Sequence, residues 1–133
     1  MAVGTPQISD AEWEVMKVIW QRGSATAAEV VDDLAPATQW HPRTVKTMLN
    51  RLVRKGALDF KPEGKRYIYR AKVSRQACVR RATRSFLRRV FDGAAAPAVA
   101  HFLEEAHLSP HEIEQLKRIL DQGGGGAGGG GGR

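Results

Sequence analysis

Three hydroxyl-to-glutamate pairs, Ser9-Asp10-Ala11-Glu12, Thr26-Ala27-Ala28-Glu29 and Ser109-Pro110-His111-Glu112, mark where three helices of this chain begin. In each, the hydroxyl can accept a hydrogen bond from a first-turn amide while the glutamate reaches back to the amide of the hydroxyl residue. Such reciprocal capping leaves the chain little choice of helix start. Trp13, Met16, Val18, Ile19 and Trp20 follow the first box with helical spacing, which predicts a helix from about Asp10 to Gln21, ended by Gly23. Val30, Val31 and Leu34 follow the second, and that helix is expected to stop before Pro36. A third helix is predicted from near His41 to Lys55, with Pro42 at its first position, where a missing amide costs nothing, and Gly56 at its end.

The next segment changes period. Leu58 to Lys61 and Arg66 to Arg70 alternate as strands do, with Phe60, Tyr67 and Tyr69 as β-formers and Pro62-Glu63-Gly64-Lys65 as the turn between them. Three helices followed by a hairpin is the order of a winged helix, in which the third helix enters the major groove and the hairpin lies along the backbone. Ser74 then caps a helix to about Phe91, with Val79, Ala82, Phe86 and Val90 on one stripe, and Gly93 breaks it. Ala94 to Ala106 carries Val99, Phe102 and Leu103, and the third capping box leads into Ile113, Leu116, Ile119 and Leu120. The expected fold is therefore mostly α: a winged helix-turn-helix over residues 1–73 and three C-terminal helices over 74–122. From Gly123 to Arg133 the chain is nearly pure glycine and is expected to be a disordered tail.

Three short amphipathic helices bury too little apolar surface to stand alone, so their stripes must meet the winged helix or a second copy of themselves. Dimerisation is the simpler of the two, and Phe86, Val90, Val99, Phe102, Leu103, Ile113, Leu116, Ile119 and Leu120 are the residues expected to carry it.

Composition narrows the function. At 133 residues, 42% hydrophobic and 26% charged, the chain is too small for a large catalytic architecture. No stretch approaches the ~18 to 20 apolar residues of a membrane span, and the N-terminus lacks the pattern of a secretion signal, so a cytoplasmic protein without membrane insertion is expected. Cys78 is the only cysteine, which excludes an intramolecular disulfide and any multi-cysteine metal site and suggests a small core residue. The net charge of +7 is not spread evenly: residues 41–91 hold 16 Lys or Arg against Asp59 and Glu63, while the flanking segments come to −4 and −3. Segregation of this kind points to a polyanionic partner meeting one region.

Wound at 100° per residue, the third helix sorts into two sides. Val45, Met48, Leu49 and Leu52 fall on one, and Arg43, Lys46, Thr47, Asn50 and Arg54 on the other. The second side has the chemistry of a reading face, since Arg can fork onto guanine, Asn onto adenine, and a Thr methyl can meet the thymine methyl. His41, Thr44 and Arg51 complete the candidate double-stranded DNA contacts on this helix, and Lys65 and Arg66 at the hairpin tip add contacts to phosphate or to the minor groove. A solvated surface face is the competing explanation of the same sorting. Arg75, Arg80, Arg81, Arg84, Arg88 and Arg89 either track phosphates or pair with Glu104, Glu105, Glu112 and Glu114.

Trp13 and Trp20 read as core, and Trp40 as a brace for the third helix. The histidines at 41, 101, 107 and 111 have no metal-ligand spacing, because His107 and His111 straddle a helix start. No catalytic set, phosphate loop or carboxylate pair is present, so neither an enzyme nor a cofactor is expected. Two other classes fit the residues: a general nucleic-acid binder using the basic face without base readout, and a protein-interaction module on a winged-helix scaffold.

With these residues in view, the chain resembles the penicillinase-repressor (BlaI/MecI-type) family over roughly Ile8 to Gln122. The likeness rests on Ile8-Ser9-Asp10-Ala11-Glu12-Trp13-Glu14-Val15-Met16, on Trp40-His41-Pro42-Arg43-Thr44-Val45-Lys46-Thr47-Met48-Leu49 with Arg51-Leu52 and Lys55-Gly56, and on Tyr67-Ile68-Tyr69. Val73-Ser74, Leu108-Ser109 and Glu112-Ile113-Glu114-Gln115-Leu116 extend it through the C-terminal helices. The resemblance implies a homodimer that blocks transcription from palindromic operators in an antibiotic response. It also implies derepression when a membrane sensor-transducer, or its protease, triggers cleavage in the dimerisation region. In the family the cut falls at an Asn-Phe bond; the matching step here is His101-Phe102, which departs at the residue before the bond. A copper-responsive branch of the family carries a cysteine-rich C-terminus, whereas this chain has Cys78 alone and ends in glycine and arginine.

Overall fold

The computed structural model describes residues 4–130. Its elements run α1 (Asp10–Arg22), β1 (Ala25–Thr26), α2 (Ala27–Thr38), α3 (Pro42–Lys55), β2 (Leu58–Glu63), β3 (Arg66–Ala71), α4 (Arg75–Phe91), α5 (Ala95–Glu105) and α6 (Pro110–Gly130). The three strands form one antiparallel sheet in the order β1-β3-β2. A winged helix is what this order describes, as expected from the sequence.

All three capping boxes are present. Ser9 Oγ accepts from the Glu12 amide while Glu12 accepts from the Ser9 amide, and Thr26 with Glu29 and Ser109 with Glu112 repeat the pattern. Gly56 ends α3 in the left-handed conformation at φ 85°, where a side chain would be strained. Ser74 Oγ accepts from the Ala77 amide at the head of α4.

Four local expectations need revision. The second helix does not stop before Pro36 but runs through it to Thr38. Proline removes only one amide in the last turn, and the loss is offset nearby: Thr38 donates its hydroxyl to the Leu34 carbonyl and the Gln39 amide donates to that of Ala35. The two-residue strand β1 was not foreseen; Ala25 pairs with Tyr69 and Thr26 with Ile68, so Thr26 serves both sheet and helix cap. The hairpin turn is tighter than predicted, because Pro62 pairs with Tyr67 and Glu63 with Arg66, leaving Gly64 and Lys65 as the turn. Finally, the glycine-rich stretch expected to be disordered from Gly123 is helical in α6 as far as Gly130, against the low helix propensity of glycine; residues 131–133 lie outside those described.

Contacts divide the chain into two compact units, Met1–Phe86 and Leu87–Arg133, so the division falls within α4. The first unit holds a continuous core of Val15, Met16, Val18 and Ile19 from α1, Val30 and Leu34 from α2, Val45, Met48, Leu49 and Leu52 from α3, and Leu58 and Tyr69 from the hairpin. Trp20 and Trp40 pack against it half-buried, and Trp20 donates its indole N–H to the Val73 carbonyl at 3.0 Å, tying α1 to the end of the sheet. Cys78 is buried at the start of α4, and burial pushes its thiol pKa up.

A polar clamp closes the same unit. Glu12 is 2% exposed and receives Lys55 Nζ from the last turn of α3, which also donates to the Gln7 carbonyl at 2.9 Å. Burial alone would raise the Glu12 carboxyl, but hydrogen bonds from Lys55 and the Ser9 amide, with the Lys55 charge, together hold it below the ordinary range. The clamp fixes where α3 ends relative to where α1 begins.

The second unit is built differently. Among its described residues Ala98 is the one that is fully buried, while Val90, Val99, Phe102, Leu103, Ile113, Leu116, Ile119 and Leu120 are all exposed.

Candidate nucleic-acid interface

Helix α3 owes its position to one side of its surface. Val45, Met48, Leu49 and Leu52 are each no more than 5% exposed, so the helix is pinned to α1, α2 and β2 along that stripe. Deep burial of four large side chains contributes roughly 1.5 to 3 kcal/mol apiece. The opposite side is left to solvent by geometry: Arg43, Thr44, Lys46, Thr47, Asn50, Arg51 and Arg54 are all exposed, and so is His41 ahead of the first turn. The structure therefore brings together every α3 residue singled out from the sequence.

The face is partly pre-arranged. His41 caps the helix, its Nδ1 accepting from the Arg43 amide at 3.0 Å, and Pro42 occupies the first helical position. Thr47 donates its hydroxyl to the Arg43 carbonyl at 3.0 Å, so what it has left to offer a partner is a methyl group and an oxygen lone pair.

Beside α3 stands the β2–β3 hairpin, with Gly64 at φ 66° making the turn and Lys65 and Arg66 exposed at its tip. Arg66 and Glu63 approach to only 4.0 Å with both side chains largely solvated, a pair too weak to hold the guanidinium back. Register places Phe60, Pro62, Tyr67 and Tyr69 on one face of the hairpin, and Phe60 meets Tyr67 edge-on with ring centroids 4.9 Å apart. Between this face, α2 and the start of α3 lies a groove of about 500 Å³, bordered by Val31, Pro42, Lys46, Lys65, Arg66, Tyr67 and Tyr69 among others. A largely apolar trough follows from this arrangement, edged by Lys46, Lys65 and Arg66 and by one carboxylate, Asp32. Sequence reasoning saw these aromatics only as strand formers; the signal that could have found the wall was their common parity across the hairpin.

Electrostatics favour the same side. Two of the three carboxylates of α2 are engaged elsewhere: Asp33 accepts a two-pronged bond from Arg22 at 2.7 and 2.8 Å, and that hydrogen bond lowers the Asp33 pKa. Glu29 is lowered chiefly by the Thr26 amide it caps. Each is thus an acid held in place by local partners and not a charge presented beside α3.

The other candidate residues fall in two places. Phe86 is half-buried in the first unit. Val90, Val99, Phe102, Leu103, Ile113, Leu116, Ile119 and Leu120 form the exposed apolar set of the second. His101 and Phe102 lie within α5, and the His101 side chain is 65% exposed. No group of three or more His, Cys, Asp or Glu is arranged to hold a metal ion among the described residues, and no described helix is long and apolar enough to cross a membrane.

Comparison with known proteins follows the same outline. A family model described as "Penicillinase repressor" matches residues 8–122. The penicillinase repressor of Bacillus licheniformis is 42% identical over 117 residues, covering 88% of this chain and 91% of that one. The methicillin resistance regulatory protein MecI of Staphylococcus aureus (strain N315) is 34% identical over 118 residues, covering 89% and 96%. The solution structure of the DNA binding domain of the repressor BlaI superimposes with a TM-score of 0.51 at 43% identity, covering 56% of this chain and 93% of that one.

Proposed function

The chain belongs to the penicillinase repressor family, whose members are DNA-binding transcriptional repressors, and we propose that it binds palindromic operators as a homodimer and is released by proteolysis in its C-terminal helices. The observation that carries the reading is the two-sided sorting of α3, with four core residues behind and seven exposed polar or basic residues in front. Arg43, Lys46, Thr47, Asn50, Arg51 and Arg54 enter the major groove, where each bidentate base contact contributes about 1 to 3 kcal/mol of discrimination. Lys65 and Arg66 meet backbone phosphate beside it, which adds affinity without sequence information. Transcription is blocked by occupancy of the site, and a DNA partner supports a cytoplasmic location.

Dimerisation rests on the exposed apolar set from Val90 to Leu120. A second copy is the occupant because a palindrome requires two reading helices related by a two-fold axis, about one helical turn of DNA apart or a little more. Linking two half-site contacts raises the second to an intramolecular event and multiplies affinity. Cleavage at His101-Phe102 would cut α5 and with it the link. That helix suits the role, since Ala94 provides no side-chain cap at its start and the His101 side chain, which is outside the dimerisation set, is 65% exposed. A membrane sensor-transducer, or a protease it controls, is the proposed partner.

The test is to incubate the purified protein with fragmented DNA of its own host at moderate salt and sequence what it retains. A few sharply enriched inverted repeats would support the reading. Enrichment without a motif would overturn it in favour of a general backbone binder.

A further inference from the structure

A helix start ordinarily turns free backbone amides toward solvent and offers them to anions. The first turn of α3 does not. Pro42 has no amide proton, the Arg43 amide donates to His41 Nδ1 at 3.0 Å, and the Thr44 and Val45 amides donate to the His41 carbonyl at 2.9 and 3.3 Å. With those backbone amides used, what the cap itself has left to offer is the far edge of the imidazole. Because Nδ1 accepts from an amide, the neutral ring must carry its proton on Nε2, at the opposite edge. The ring is exposed and lines a shallow cleft of about 270 Å³ with Arg43, Thr44 and Thr47.

We propose that His41 positions α3 on its operator as a neutral donor, giving its Nε2–H to a backbone phosphate oxygen while the capping bond at Nδ1 holds the tautomer and the ring orientation. This rests on the operator-binding reading above and assigns one residue a specific part in it. A phosphate is the acceptor because the cap residue precedes the helix, at the end of the reading face and not along it, where the groove is walled by backbone. Serine or asparagine would cap the helix as well, but the donor each has left, a hydroxyl or an amide NH2, sits closer to the backbone than Nε2 does and reaches less far past the cap. Imidazole satisfies the helix with one nitrogen and the partner with the other.

The experiment uses the full chain, its His41→Ser variant, and a duplex carrying a site recovered from the host-DNA selection. Serine retains the cap, so the thermal midpoint should hold while affinity falls about two- to tenfold, the scale of one net hydrogen bond. The loss should be the same on operators with single base changes, and the slope of affinity against salt should stay fixed, because a neutral donor releases no counterion. Nitrogen-15 spectra of the unmodified protein should show Nδ1 bare and Nε2 protonated. His41→Asn, which also caps, should lose as much as serine, and it serves as the reference if serine destabilises the fold. Unchanged affinity in both variants, a loss confined to one base pair, or a proton on Nδ1 would overturn the assignment. If instead the unmodified protein selects no site, the operator reading itself falls and takes this one with it.

Discussion

The two units of this chain treat their apolar residues in opposite ways. In Met1–Phe86 the large aliphatic side chains of α1, α2 and α3 face inward and α3 is left with a polar, basic front. In Leu87–Arg133 Phe102, Leu103, Ile119 and Leu120 are each about half exposed or more, and Ala98 is the fully buried residue among those described. The first unit is complete as a single copy and presents what nucleic acid binds. The second is finished only by another surface, since side chains of this size exposed together mark an interaction site. In the function proposed above, reading DNA and pairing copies fall to separate parts of one small chain, and a change in either should leave the other standing.

The largest effect should come from breaking the pairing. Placing charge in the exposed set, with Leu116→Asp and Ile119→Asp together, should give a monomer by sedimentation and reduce operator affinity by about 100- to 10,000-fold, the range that linkage of two sites supplies. Amide spectra of the winged helix should be unchanged. A variant that remains dimeric would show that these side chains are covered in some other way. Next in size is the core. Leu49 is fully buried in α3, and Leu49→Ala should lower the unfolding free energy of the first unit by about 2 to 5 kcal/mol, read from a urea midpoint. Smaller again is the reading face: Arg43→Ala should cost about 1 to 3 kcal/mol and relax selectivity at one base position, with stability untouched. A uniform loss across sequences would move Arg43 from base to backbone.

How much of this was legible beforehand differs between the same two regions. The two sides of α3 could be separated by winding alone, because helical period and one-sided burial are the same fact seen twice; Val45, Met48, Leu49 and Leu52 are buried as the spacing requires. The capping boxes placed α1, α2 and α6 at their starts for a similarly local reason. Strand β1 was hidden because two residues show no period, and its pairing with Tyr69 and Ile68 is a contact across more than forty residues of chain. The continuation of α2 past Pro36 depends on Thr38 and Gln39 supplying bonds from beyond the proline, which no rule about proline alone anticipates. The common face of Phe60, Tyr67 and Tyr69 survives the two-residue difference in the turn, because only an odd slip changes face; what stayed hidden is that α2 and the start of α3 stand across from that face and make it the wall of a groove. In the second unit the apolar stripes were evident, whereas the occupant proposed for them is a second molecule, which the residues of one chain do not display.

The smallest effect tests whether the first unit carries its own pH dependence. Glu12 is held below the ordinary carboxylate range in the folded state, with the hydrogen bonds and charge of Lys55 and the Ser9 amide outweighing the opposing effect of burial. A group whose folded pKa is depressed contributes stability that is fully present above its unfolded value, about 4.3 for Glu, and is lost as pH falls through the folded value. Glu12→Gln isolates that charge, because glutamine can still complete the capping box with Ser9. The variant should be about 1 kcal/mol less stable at neutral pH, the scale of a pair whose lysine is partly solvated, and the two proteins should converge in acid. Asp33 and Glu29 are also lowered, by Arg22 and by the Thr26 amide respectively, so both proteins will still weaken in acid and only their difference reports on Glu12. Urea midpoints at neutral and acid pH measure it. A difference that persisted undiminished into acid would mean that Glu12 acts through packing, and the clamp between α1 and α3 would then owe nothing to its charge.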